Sequence, residues 1–142
     1  MYARFRWLIT ASLMVMIQAC GFSSSDVEVK RITPEQAKVI IDGRKALLVD
    51  VRTEAEHTDR NIPGTDALIP VQELSRRIQE LEPWKGKPIL LYCRSGNRTQ
   101  QAAKMLQQHG FTDVTDLKGG IQAWLSMGYP TATGPFVHPK AP

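Results

Sequence analysis

Cysteine is scarce in this chain of 142 residues, where only Cys20 and Cys93 occur. Two cysteines exclude the multi-bridge framework that staples core-poor domains, so the fold must rest on a hydrophobic core. Long apolar runs are missing too. The run that follows Arg4 and Arg6, from Trp7 to Ile17, has 11 positions, against roughly 20 for a membrane-spanning helix. Histidine is sparse, and His57, His109 and His138 show no metal-ligand spacing, so no metal, cofactor or catalytic histidine is expected. An excess of one charge is also lacking. Without Arg4 and Arg6 the chain carries 16 Lys+Arg against 14 Asp+Glu, a balance that does not call for nucleic acid as a partner. No internal repeat is visible.

A basic start, a short apolar stretch and a small residue at Ala19 read as a secretory signal over residues 1–19. Ile17-Gln18-Ala19-Cys20 resembles a bacterial lipoprotein cleavage box, although Gln18 departs from the small or aliphatic residue usual there. The resemblance implies a lipid on Cys20, a Ser-rich tether over 20–26, and a periplasm-facing place in a bacterial cell envelope, membrane-bound through that lipid. Ordinary cleavage near the same point and a retained anchor are the alternatives. The 123 residues from Cys20 onward suffice for one domain, expected over 27–132, with a disordered Pro-rich tail over 133–142.

Within the domain, strand and helix patterns alternate. Val27 to Ile32 reads as a strand. Thr33-Pro34-Glu35-Gln36 supplies an N-cap, a first-turn proline and a capping-box Gln for a helix that Gly43 stops. Ala46 to Val51 is a strand buried on both faces, and Thr53-Glu54-Ala55-Glu56 opens a second helix. Ala67 to Ile69 is a brief strand. Val71, Leu74, Ile78 and Leu81 predict one amphipathic helix ended by Pro83. Ile89 to Tyr92 is an apolar strand, followed by Cys93 to Arg98 and a helix over 99–108. Val114 to Leu117 is a strand, Gly119-Gly120 a turn, and 121–127 the last helix. The alternation predicts an α/β fold with a central, mostly parallel sheet and puts Cys93 at a strand's C-terminal end, where such sheets bind ligands.

A cysteine at a strand end is by itself more often a small buried hydrophobe. The polar run Arg94-Ser95-Gly96-Asn97-Arg98 has no use in a core, and it favours a thiolate at Cys93 in three ways. A helix N-terminus lies just ahead, two arginines flank the loop, and Ser95, Gly96 and Asn97 let it curl so that several N–H groups form an anion nest.

The segment Cys93-Arg94-Ser95-Gly96-Asn97-Arg98 resembles the active-site loop of single-domain rhodaneses, thiosulfate sulfurtransferases among them. Asp50-Val51-Arg52, Asn61-Ile62-Pro63-Gly64 and Leu117 to Trp124 agree with it, and the similarity extends from about Ile32 to Pro130. The resemblance implies a three-layer sandwich with helices on both sheet faces. It also implies a Cys93 persulfide formed from a small sulfur-donor anion and passed to cyanide, a thiol or a protein cysteine. Arg94, Ser95, Gly96, Asn97 and Arg98 would hold the donor or brace the loop, Asp50 and Arg52 would support the loop, and Trp124 would pack the last helix. Asn61 stands where a histidine is common, which touches turn packing. A phosphatase or arsenate reductase of this scaffold has five residues between Cys and Arg; here there are four. A non-catalytic docking module or persulfide carrier is the alternative from another class.

Overall fold

The computed structural model describes residues 28–138. The signal segment, Cys20 with its tether and residues 139–142 lie outside the described residues. Strands β1 (Lys30–Ile32), β2 (Leu47–Asp50), β3 (Ala67–Leu68), β4 (Ile89–Tyr92) and β5 (Val114–Leu117) form one sheet in the order β1-β5-β4-β2-β3, every pair parallel. Helices α1 (Pro34–Asp42), α2 (Glu54–Asp59), α3 (Leu74–Arg77) with a 3₁₀ helix over Ile78–Trp84, and α4 (Asn97–Gln108) connect successive strands, and α5 (Gly120–Ser126) follows β5.

Two-residue alternation sorts the strand side chains into two apolar layers. Leu47, Val49, Ile89 and Leu91 face α3, the 3₁₀ helix and α4, where Leu74, Ile78, Ala102 and Leu106 meet them. Leu48, Leu90 and Tyr92 face Ala37 of α1 and Ile121 and Trp124 of α5. Both faces of the sheet are therefore covered, as a three-layer sandwich requires. Full burial of a residue such as Leu90 or Leu91 is worth about 2 kcal/mol.

Both expected capping boxes form. The Thr33 hydroxyl accepts from Gln36 N–H while the Gln36 side chain accepts from Thr33 N–H, and Thr53 and Glu56 repeat the arrangement. The single helix expected over 71–81 does not form. One α-turn gives way to the 3₁₀ helix at Ile78, and Pro83 lies inside it. Ile78, Leu81 and Trp84 recur every three residues, the period of a 3₁₀ helix, so its tighter winding stacks all three on the core. Helix α4 begins at Asn97, two residues earlier than expected.

The tail also differs from expectation over 133–138. Asn61 and Ala132 form an antiparallel bridge, Gly134 N–H donates to Thr58 O at 2.8 Å, and the Phe136 ring stands edge-on to His57 at 5.5 Å. The stretch is held at its start by the bridge at Ala132 and within it by the Gly134 N–H and the edge of the Phe136 ring on the buried His57.

From β2 the chain moves outward to β3, and from β4 it moves the other way to β5. The segments leaving β2 and β4 thus diverge and open a crevice at the C-terminal ends of two neighbouring strands. Asp50 ends one and Cys93 follows the other.

Candidate active site

Cys93 leaves the central strand and is 1% exposed. Gly96 N–H donates to its Sγ at 3.1 Å, and Thr99 Oγ1 lies 3.8 Å from it. Thr99 also donates to Gly96 O at 2.9 Å, so its hydroxyl closes the loop onto the first turn of α4. Gly96 carries φ 101°, a conformation that L side chains resist, and a Cβ there would stand 2.6 Å from Arg31 Nη2. Both the curl of the loop and the close packing of Arg31 need glycine.

The Gly119-Gly120 pair does more than turn the chain. Ile121 N–H donates to Cys93 O at 2.8 Å and Gln122 N–H to Arg94 O at 3.1 Å. Gly120 has φ 59°, and a Cβ on it would overlap the carbonyls of Cys93 and Arg94. In a trans peptide the C=O and the following N–H point opposite ways. Seating both carbonyls on α5 therefore turns the Arg94 and Ser95 N–H groups to the other side of the loop.

The expected nest is realised in part. Gly96 supplies the hydrogen bond to the sulfur, whereas the Ser95 and Asn97 side chains are exposed and make no bond to it. The flanking cations part company. Arg94 is exposed, while Arg98 is half-buried and forks onto Glu56, with Nη1 to Oε2 at 2.7 Å and Nη2 to Oε1 at 2.6 Å. The hydrogen bonds from Arg98 hold Glu56 at about 2, and the same bonds raise Arg98 further above its ordinary range.

Asp50 and Arg52 form a buried fork behind the loop. Arg52 Nε meets Asp50 Oδ1 at 2.9 Å and Nη2 meets Oδ2 at 2.7 Å, while Nη2 also donates to Arg60 O at the end of α2. Burial opposes the Arg52 charge, but the Asp50 hydrogen bonds and charge outweigh it and raise its pKa. His57 Nδ1 adds a contact to Asp50 Oδ2 at 2.9 Å. Arg52 lies 5.3 Å over the ring of Tyr92, whose hydroxyl is pushed well up by burial and then by the Asp50 charge. Asp50 and Arg52 thus tie the end of β2 to the end of α2, with the Arg52 guanidinium over the Tyr92 ring just ahead of the loop. Asn61 bonds His57 O through its side chain, which makes it a packing residue of the turn. Trp124 is buried and donates to Pro130 O.

A cleft of about 470 Å³ opens beside the loop, lined by Arg52, Glu56, Arg60, Arg94 and Gln122 among others; Cys93 lies behind these and does not line it. Sequence reasoning missed Glu56 as a partner of Arg98, Thr99 as the group beside the sulfur, and Arg31 against Gly96. Arg31 also bonds the buried Asp116 at 2.8 Å. Only Glu56 had a signal, its capping-box spacing, and that spacing says nothing about Arg98.

A parallel sheet whose central strand hands a cysteine to a curled loop at a helix N-terminus defines a class of cysteine-loop α/β domains. Within that class the chain belongs to the rhodanese family, since the rhodanese-like domain model matches residues 33–127. It is 41% identical over 92 residues to a sulfurtransferase of Allochromatium vinosum, covering 64% of this chain and 82% of that one. It is 36% identical over 106 residues to the thiosulfate sulfurtransferase GlpE of Pseudomonas syringae pv. syringae, covering 75% and 95%. A rhodanese-related protein of Thermoplasma volcanium superposes with a TM-score of 0.65 at 30% identity, over 72% of this chain and 97% of that one.

Proposed function

We propose that this domain transfers a sulfane sulfur from thiosulfate, or a donor of that type, through a Cys93 persulfide. Relatives named sulfurtransferases support sulfur transfer in general. The observation that carries the reading is the Gly96 N–H pointing at Cys93 Sγ from the start of α4, which favours negative charge on sulfur. In the first step the Cys93 thiolate attacks the outer sulfur of thiosulfate, a new S–S bond forms, the donor S–S bond breaks, and sulfite leaves with its electron pair. In the second step cyanide or a thiolate takes the outer sulfur of Cys–S–S⁻ and returns the thiolate. Two covalent half-reactions give ping-pong kinetics. With Cys93 only 1% exposed, the loop or the Arg98–Glu56 pair must yield as the donor enters.

Persulfide carriage to a protein cysteine shares the first step, and the burial of Cys93 favours it, because a covered persulfide is shielded from stray thiols and oxidants. Export and a lipid on Cys20 belong to the same proposal, supported by the Arg4/Arg6 start and the Ile17-to-Cys20 box.

Thiosulfate should add one sulfur atom to Cys93 by intact mass, and cyanide should then release thiocyanate. Cys93→Ser should abolish both; an unchanged rate in that variant rules the mechanism out. Labelled fatty acid should enter the full chain and be lost in Cys20→Ala, whereas an unlabelled wild type overturns the anchor.

A further inference from the structure

The loop cation nearest in kind to an anion-binding residue is already occupied. Both Nη atoms of Arg98 are engaged by Glu56, and a bidentate carboxylate fills the same face of a guanidinium that two sulfonate oxygens would fill. The carboxylate is held in place from its own side as well. Glu56 Oε2 accepts from the backbone N–H and the hydroxyl of Thr53, each at 3.1 Å, so it is part of the first turn of α2. Glu56 and Asp59 bring negative charge to the cleft beside the loop, and Arg52 there is committed to Asp50. Arg60 and Arg94, both exposed, make no ion pair among the described residues.

We propose that Glu56 is a specificity-determining residue of the Cys93 site. By occupying Arg98 and fixing a negative charge beside the cleft, it biases the site against dianionic donors and toward donors whose reacting end carries less charge, such as monoanionic thiosulfonates and persulfides. The inference rests on the sulfur-transfer reading above. A dianion entering the cleft must either displace a carboxylate that two elements hold or bind beside it, and like charges side by side are unfavourable. A monoanion meets a weaker repulsion and needs Arg98 less.

The experiment compares thiosulfate with benzenethiosulfonate as donors to the full domain, with cyanide as acceptor. Glu56→Gln removes the charge and keeps the shape. It should raise the kcat/KM ratio of thiosulfate to benzenethiosulfonate by about tenfold, the scale of one unit charge a few ångströms from a partly exposed site. Thr53→Val removes only the hydroxyl bond to Oε2 and keeps the backbone N–H bond, the carboxylate charge and the Arg98 fork, so it should leave that ratio close to the wild type. A ratio unchanged in Glu56→Gln, an equal loss with both donors, or a shift as large in Thr53→Val overturns the proposal. Intact mass separates the two levels of the argument. If wild type takes sulfur onto Cys93 from neither donor, sulfur transfer itself falls and this inference with it; if both donors load Cys93 but the ratio does not move, only the selectivity role falls.

Discussion

At Asp50 four hydrogen-bond contacts converge on one fully buried carboxylate, three from Arg52 and one from His57. The Arg52 charge is 4% exposed and survives burial because of that carboxylate. Asp50→Asn should cost about 3–5 kcal/mol in denaturant unfolding, because it leaves a buried cation without its counter-charge. The Glu56–Arg98 pair is of a different kind, with both side chains near 30% exposed and open to solvent screening. Its hydrogen bonds hold Glu56 at about 2 against an ordinary 4.5. Stability from the pair is therefore complete above pH 4.5 and is lost as pH falls through about 2. The loss should amount to at most about 1 kcal/mol and be absent in Glu56→Gln, as read from unfolding midpoints across that window.

At the scale of elements, two helices meet the cysteine loop and do separate jobs. Helix α4 brings the Gly96 N–H to the sulfur, and α5 seats the carbonyls of Cys93 and Arg94 on its first amides. Gly120 makes the second arrangement possible. Gly120→Ala should destabilise the domain by about 2–4 kcal/mol and slow sulfur loading of Cys93, since left-handed strain and overlap with two loop carbonyls add. Gly64→Ala is the matched comparison, with φ 86° but nothing within 4 Å of its Cβ. It should cost only about 1 kcal/mol and leave loading unchanged. The capping boxes of α1 and α2 were legible in the sequence because each joins residues three apart. The 3₁₀ helix was not, because Leu74, Ile78 and Leu81 fit an α-helix as well, and only contact with the sheet selects the tighter winding.

Over the whole molecule, the strand order puts Asp50 and Cys93 at neighbouring strand ends, and residues 133–138 extend the domain past its expected boundary. Phe136→Ala should lower stability by about 1 kcal/mol and shift the His57 ring resonances, because Phe136 supplies an edge-on aromatic contact to a buried imidazole. Unchanged His57 resonances would show that the tail does not dock in solution. Sequence alone determined the alternation of strands and helices, the two capped helix starts, and the cysteine between an apolar strand and a polar loop. These are short-range patterns, set by the period of buried side chains and by bonds spanning a few residues. The tertiary structure decided that Arg98 is held by Glu56, 42 positions away, that Arg31 packs on Gly96, and that α5 binds the loop carbonyls. Such partners meet only when the sheet has assembled, since no local pattern records which distant charge or amide will fill a given place.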